Sequence, residues 1–343
     1  MEPLLSHRQD PSLKFFAYAD VARPDEMTSR LQTLVDEWRL TFGTSDQALR
    51  QQIGADGIDI MVDLSGHTSG ARTTLLCSRV AFVQINYLGY PGTTGLPSMD
   101  FRIVDELTDP DGAPAGYSEA LLYMPHGFLC FRPVRFGNGG GPLSDTTRPF
   151  TFGCFNNVAK ISDTCLRLWA RILRTAPHSH LALKATAFAD TGIVSGLRKR
   201  AQEHGVPGER LHCWPPLGSY AEHIAAYGEV DVALDTFPYH GTTTTCEALA
   251  AGVPVVSLIG SEHVSRVGLT LLTRVDLQEC ATTSEDHYVG MAVALSSDGA
   301  KLAHARQRLS AAWPRSELTN GRQQAQAFEG VLRQSWQQKL RPL

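Results

Sequence analysis

Residues 231–260 read DVALDTFPYHGTTTTCEALAAGVPVVSLIG. The run opens on Val232-Ala233-Leu234, short and apolar in the way of a buried parallel strand. A turn at Pro238-Tyr239-His240-Gly241 follows, then four threonines, Thr242 to Thr245, and a helical pattern through Cys246, Ala248, Leu249 and Ala250. Gly252 and Pro254 close that helix, and Val255-Val256-Ser257-Leu258-Ile259 begins the next strand. Strand, glycine turn and hydroxyl-rich helix start together make an anion site. A helix's first turn leaves amide N–H groups unpaired, and its dipole adds roughly half a positive charge there. Thr243 and Thr244 bring hydroxyls to the same place, and Glu247 lies one turn further in, where a carboxylate can accept from the two hydroxyls of a ribose. A nucleotide diphosphate fits that set. The plainer reading is an N-cap with a capping box, since a Glu follows a Thr by three residues. A single cap needs one threonine, however, and here there are four.

Working outward, 343 residues suffice for two domains of ordinary size. The net charge of −4 argues against a nucleic-acid partner, which requires a basic face. Seven cysteines, odd in number and without a CxxC pair, argue against a disulfide framework and a zinc site. They point to a reducing, cytoplasmic setting, or a nuclear one in a eukaryote. The start MEPLLSHRQD has no basic region and apolar core of a signal peptide, and no run approaches the ~18 apolar residues of a membrane span.

In the first half, strands are expected at Lys14–Tyr18, Ile58–Leu64 (of buried type), Phe82–Leu88, Phe101–Val104 and Leu121–Tyr123. Helices are expected over Pro24–Leu40, spaced by Met27, Leu31, Leu34 and Trp38, over Ser45–Ile53 and over Ala71–Ser78. Residues 137–149, GNGGGPLSDTTRP, cannot pack a core and read as a linker. The second half alternates strands (150–155, 180–184, 209–213, 231–235, 254–259) with helices (162–175, 190–204, 219–228, 243–251, 264–274, 285–296, 299–312). A last helix, 320–336, has no strand after it and is expected to return to the first domain. This gives domains at 1–136 and 150–319, with 320–343 as the returning segment. The alternation predicts α/β domains with parallel sheets and right-handed crossovers. Ligands in such sheets lie beyond the carboxyl ends of strands, often in a cleft between domains. Absence of GxGxxG after a strand and of GxxxxGK[ST] removes the main support for a nicotinamide dehydrogenase and a Walker-type NTPase.

Lys160, in Asn156-Asn157-Val158-Ala159-Lys160, follows the first strand of the second half and precedes a helix capped by Ser162. It reads as a second source of positive charge for phosphate, or as a solvated surface lysine. His223, early in the helix 219–228, and Lys184, ending HLALK, are each ligand contacts or ordinary polar residues. Tyr239 and His240 either cover a sugar or serve the turn. His67, in Gly66-His67-Thr68 after the strand IDIMVDL, is the acid–base candidate of the first domain, with a structural histidine as the alternative. No metal-ligand spacing is present, so a metal-free site is expected whose electrostatic work falls on Lys160 and the helix start.

DTFPYHGTTTTCEALAAGVPVV, with FGCFNNVAKIS, NYLGYPGTTGLPSMDF and DGIDIMVDLSGHTSGAR, resembles the catalytic region of the protein O-linked N-acetylglucosaminyltransferase family, including its SPINDLY-type and bacterial branches. The resemblance runs along nearly the whole chain. It implies a GT-B architecture, two Rossmann-like domains facing a cleft, with the donor mainly on the second. It implies inverting transfer of a sugar to Ser or Thr hydroxyls of a protein, with a nucleotide sugar as co-substrate and no other cofactor. UDP-N-acetylglucosamine is taken ahead of GDP-fucose, which SPINDLY-type members can use, so that a protein O-fucosyltransferase of SPINDLY type is the alternative. By that resemblance Lys160 meets the diphosphate, Thr243 and Thr244 bind phosphate, Glu247 the ribose, and His223 stacks near the base. Asn157, His240, Gly241 and Thr242 are assigned to the donor site with them. Gly89, Pro91, Gly92 and Thr93, in the loop Gly89–Gly95, are assigned to the acceptor side, and His67 joins Lys160 as catalytic. Ala159 stands where animal members carry Tyr, which brings the chain nearer the SPINDLY-type and bacterial branches. The family's region starts earlier and follows tetratricopeptide repeats. The expectation is therefore a first domain lacking its first strand, with a non-catalytic nucleotide-binding descendant as the alternative.

Overall fold

The computed structural model describes residues 1–110, 116–132 and 148–341. Two compact units emerge, Met1–Arg132 with Glu317–Leu343, and Pro133–Ser316. Of the expected linker 137–149, residues 137–147 lie outside the described residues.

The first unit carries α1 (Glu2–Ser6), β1 (Phe16–Ala19), α2 (Glu26–Gln32), β2 (Glu37–Leu40), α3 (Asp46–Ala55), β3 (Ile60–Asp63), α4 (Thr73–Leu76), β4 (Val83–Asn86), β5 (Phe101–Val104) and β6 (Ala120–Tyr123). β1 and β2 form a parallel pair, and β3-β4-β5-β6 a parallel sheet in sequential order. Two expectations need correction. The helix expected over Pro24–Leu40 ends at Gln32, and Trp38 lies in β2, paired with Ala17. The reason is local: the Asp36 carboxylate accepts the Phe15 N–H at 2.7 Å, and the Asp36 and Glu37 amides return bonds to the Phe15 carbonyl. Strand pairing thus captures residues whose apolar spacing also suited a helix, and α2 buries none of its side chains. Secondly, the strand expected at Ile58–Leu64 is not of buried type. β3 is an edge strand, and all four of its residues are only half-buried.

The second unit holds β7 (Thr151–Cys154), α5 (Asp163–Thr175), β8 (His180–Lys184), α6 (Thr191–Glu203), β9 (Leu211–Trp214), α7 (Tyr220–Ala225), β10 (Val232–Leu234), α8 (Thr243–Ala250), β11 (Val255–Leu258), α9 (Val267–Thr273), β12 (Ala281–Thr282), α10 (Glu285–Ser297) and α11 (Gly299–Ala312). The expected helix 219–228 ends at Ala225 and continues as a 3-10 turn, and 264–274 is likewise divided into a 3-10 turn and α9. Six parallel strands run in the order β12-β11-β10-β7-β8-β9. The order reverses between β7 and β10, because β7 leads outward to β8 and β9 while β10 leads the other way. Such a switch point opens a crevice beyond the strands' carboxyl ends, as crossover helices leave to opposite faces.

α5 shows how sequence makes this layer. Ser162 accepts the Cys165 N–H at 3.2 Å as its cap, and Cys165, Leu168, Trp169 and Ile172 are buried on one stripe. Trp169 donates its indole N–H to the Tyr288 hydroxyl of α10 at 3.1 Å, so the polar end of each buried aromatic is satisfied.

The chain then returns to the first unit as α12 (Gly321–Leu340), which packs on α1 and on β4 and β6. Phe328, Val331 and Leu332 join Val83, Ile85, Tyr87, Phe101, Ile103 and Leu122 in one core. Tyr87 stacks on Phe328 with centroids 5.5 Å apart. Each such apolar side chain contributes about 1.5–3 kcal/mol on burial, so α12 is an integral part of this unit.

Gly153, mid-strand in β7, has no room for a side chain: an added Cβ would lie 2.6 Å from both Val230 methyls. Gly153→Ala is expected to cost about 1–3 kcal/mol through overpacking, read as a lower urea midpoint for the second unit. An unchanged midpoint would mean that Val230 moves aside without cost.

Candidate active site

The switch point places two loops side by side. One follows β7 (Phe155 to Ile161) and the other follows β10 (Asp235 to Thr242). Asp235 fastens the second to the sheet. Its carboxylate, 3% exposed, accepts from the Thr236 N–H at 2.9 Å, the Gly241 N–H at 2.8 Å and the Ser257 hydroxyl at 2.8 Å. The Asn156 amide approaches the same group at 3.5 Å. Asn156 reaches the other way to accept the Thr244 hydroxyl at 2.7 Å. Gly241 must be glycine, because a Cβ there would sit 2.5 Å from Thr244 Oγ1 and 2.7 Å from Asn156 Oδ1. These contacts fix where α8 begins.

Thr242, the N-cap of α8, makes no side-chain cap bond, and the first intrahelical bond runs from the Cys246 N–H to the Thr242 carbonyl. The amides of Thr243, Thr244 and Thr245 precede that bond and point out of the helix mouth. The capping-box alternative is thereby set aside. The threonine hydroxyls are less available than the sequence suggested: those of Thr244 and Thr245 bond to Asn156 and to the Gly241 carbonyl, and Thr243 is exposed.

Lys160, last residue of a 3-10 turn Val158–Lys160, donates from Nζ to the His240 carbonyl at 2.8 Å, with the ammonium 3.8 Å from the Tyr239 ring centroid. It is therefore tied to the loop that leads into α8. Burial pushes its ammonium down from the usual lysine value, opposed by the Asp235 carboxylate. Asn157 is exposed and spends its side chain capping this turn through the Ala159 N–H. Its neighbour Asn156 is the inward-facing residue that sequence reasoning passed over.

Glu247, 4% exposed, pairs through Oε2 with His223 Nε2 at 2.9 Å. His223 Nδ1 in turn meets Lys184 Nζ. Phe155, Tyr220 and Tyr227 surround the His223 ring at centroid distances of 5.8–6.1 Å. Tyr227 also donates its hydroxyl to the Thr244 carbonyl. Lys184, His223 and Glu247 thus belong to one cluster, although three different elements carry them.

His240 requires correction. Its ring is fully buried, Nε2 bonds to the Leu258 carbonyl at 2.8 Å, and Nδ1 accepts the Gly268 N–H at 2.9 Å. Both nitrogens are spent, so the ring shapes the turn rather than touching a ligand. Only its carbonyl, facing Lys160, belongs to the site.

In the first unit, His67 is exposed and its Nε2 bonds to the Thr94 carbonyl at 2.7 Å, which leaves Nδ1 as the basic nitrogen. Its ring stands edge-on to Tyr90. The loop holding Gly89, Pro91, Gly92 and Thr93 is braced from beneath. Arg102, 2% exposed, donates to the Gly92 carbonyl at 2.7 Å and the Tyr90 carbonyl at 2.8 Å. Glu119 accepts the Thr93 hydroxyl at 2.6 Å and the Thr94 N–H at 2.7 Å.

A narrow hollow at the switch point is lined by Phe155, Asn156, Tyr227, Asp235, Thr244 and Thr245, among others. A roomier cavity of about 330 Å³ lies elsewhere in this unit, against Cys280, Met291, Leu295 and Arg308. None of the residues singled out from sequence lines it, and we place the chemistry at the switch point, where the uncapped start of α8 follows the loop that holds Lys160. Cys154, beneath the hollow, has its thiol pushed up to about 12 by burial, which makes it inert as a nucleophile. Among the described residues, no group of three His, Cys, Asp or Glu side chains is placed to hold a metal ion.

Comparison with known proteins identifies the family and the fold. The model of glycosyl transferase family 41 matches residues 18–132 and 146–328. The chain is 36% identical over 98% of its length to the probable UDP-N-acetylglucosamine–peptide N-acetylglucosaminyltransferase SPINDLY of Solanum lycopersicum, and equally to that of Arabidopsis thaliana. It spans 37% of each of those proteins. A solved mutant of the Thermobaculum terrenum O-GlcNAc transferase superposes with a TM-score of 0.92 at 33% identity, covering 98% of this chain and 64% of that one.

Asp235→Asn would turn a donor toward at least one N–H or hydroxyl now bonded to the carboxylate. A loss of about 2–3 kcal/mol in chemical denaturation is expected, against about 1 kcal/mol for Ser257→Ala. Equal small effects would remove Asp235 as the anchor of the loop.

Proposed function

The chain belongs to glycosyl transferase family 41, its α/β fold is of the GT-B type, and from that premise we propose that it transfers N-acetylglucosamine from UDP-N-acetylglucosamine to Ser or Thr hydroxyls of proteins. The observation that carries this reading is the bond from Lys160 to the His240 carbonyl, in the loop that leads into the uncapped start of α8 at the switch point of the second sheet. The names of the relatives, which specify UDP-N-acetylglucosamine and peptide, support the donor and the acceptor class.

In this mechanism the acceptor hydroxyl attacks the anomeric carbon as the bond from that carbon to the diphosphate oxygen breaks, with inversion. Negative charge grows on the leaving diphosphate. Lys160 and the amides of Thr243 to Thr245 would receive it. Glu247 would accept from the ribose and His223 would pack against the base. The carbonyl of His240, which holds Lys160 in the unliganded protein, yields the ammonium to phosphate. His67 is our acid–base candidate, through Nδ1, and Gly89–Gly95 our acceptor-side loop. No cofactor or metal is assigned to the reaction beyond the nucleotide sugar.

No helix among the described residues is long and apolar enough to cross a membrane. The seven cysteines are free thiols, which supports a cytoplasmic location.

Transfer to protein should be assayed with UDP-N-acetylglucosamine and GDP-fucose in parallel, beside calorimetric binding of UDP. Turnover with the first donor is expected, and Lys160→Ala should lower kcat roughly a hundredfold or more with folding intact. UDP binding without turnover would favour a non-catalytic nucleotide-binding protein. Turnover with GDP-fucose alone would reassign the donor, and near-unchanged turnover in Lys160→Ala would remove that residue from the mechanism.

A further inference from the structure

Lys184 ends β8, His223 sits on α7 and Glu247 on α8, and their side chains form a single hydrogen-bonded line. We propose that Lys184 is a positioning residue for nucleotide binding: it holds His223 neutral with its proton on Nε2, and through that ring fixes the Glu247 carboxylate beside the mouth of α8. The inference rests on the nucleotide-sugar reading of this site.

The direction of the bonds follows from donor chemistry. An ammonium can only donate, so His223 Nδ1 must accept from Lys184. An ionised carboxylate can only accept, so Nε2 must carry the ring's proton and give it to Glu247. Only one tautomer of a neutral ring satisfies both ends. An imidazolium would present an N–H to the ammonium and lose that contact.

Burial makes the arrangement costly to break. Lys184 is 7% exposed and Glu247 4%. The ammonium lies 5.2 Å from the Phe155 ring centroid; burial pushes it down from the usual lysine value, and the Glu247 carboxylate across the imidazole opposes that. Two opposite charges separated by one neutral bridge are more favourable there than either alone.

Other groups near the ring do not supply a substitute cation. On its own segment these are Tyr220, the buried Tyr227 and Glu222, the last engaged in capping Ser219. Phe155, after β7, is apolar. Lys184 is thus the one positive neighbour of His223 among these groups.

A purely structural lysine would affect stability and every kinetic parameter together. A positioning lysine predicts a specific signature. Nitrogen NMR of the full native chain, without ligand, should find His223 neutral near neutral pH with the proton on Nε2. In Lys184→Met, UDP affinity should fall roughly tenfold or more. KM for the donor should rise more than kcat falls, since Lys160 still meets the leaving group. Lys184→Arg, which keeps the charge, should recover most of the affinity. A native His223 that is charged, or protonated on Nδ1, overturns the proposal. So does a Lys184→Met protein that folds and keeps the native UDP affinity and donor KM. Should that variant fail to fold, the native tautomer decides alone. Failure of the native protein to bind UDP, with the ring in its expected state, defeats the nucleotide reading and not the assignment of the tautomer.

Discussion

Everything at the switch point hangs on the carboxylate of Asp235. A loop leaving the carboxyl end of a buried strand has amides that no neighbouring strand can satisfy, and an unpaired buried donor costs about 1–3 kcal/mol. Asp235 meets that demand for Thr236 and Gly241 and takes the Ser257 hydroxyl besides. The turn is therefore pinned at both ends. On it rest the carbonyl that receives Lys160 and the glycine whose missing side chain lets Thr244 reach Asn156. Position of the positive charge and position of the helix mouth are two consequences of one buried anion.

The electrostatic result suits an anionic ligand. Lys160 is pressed into a partly buried place with an aromatic face beneath it, where its ammonium is under-solvated. The helix mouth is left without a cap although four threonines stand beside it. A structure selected only for stability would cap such a helix, at a gain of about 1 kcal/mol. Both features are unfavourable in the empty protein and become favourable when a phosphate arrives, which is what preorganisation means in energetic terms.

Much of the second unit was legible in its sequence, because strands buried on both faces leave unbroken apolar runs such as Leu181–Leu183 and Val255–Val256, bounded by clear helix starts. α5, α8 and α11 fall within a residue or two of their expected limits. The first unit was harder. Met27, Leu31, Leu34 and Trp38 keep helical spacing, yet Trp38 is drawn into a strand by pairing with β1 that no local pattern announces. The site shows the same division. The placement of Thr243, Thr244 and Glu247 on one helix start, and of Lys160 after β7, could be read from residue type and spacing. The direction of side chains could not: nothing in the letters distinguishes Asn156, which points inward, from Asn157, which caps a turn. His240 looked like a loop ligand because a histidine beside a glycine often is one, and only tertiary packing shows its ring enclosed with both nitrogens occupied.

The most direct test is a crystal structure of the protein with UDP bound. The account requires the distal phosphate at the amino end of α8, within about 3.2 Å of a Thr243, Thr244 or Thr245 amide and of Lys160 Nζ, with the ammonium released from the His240 carbonyl. A diphosphate bound elsewhere, or Lys160 still fastened to His240 beside an occupied site, would contradict it.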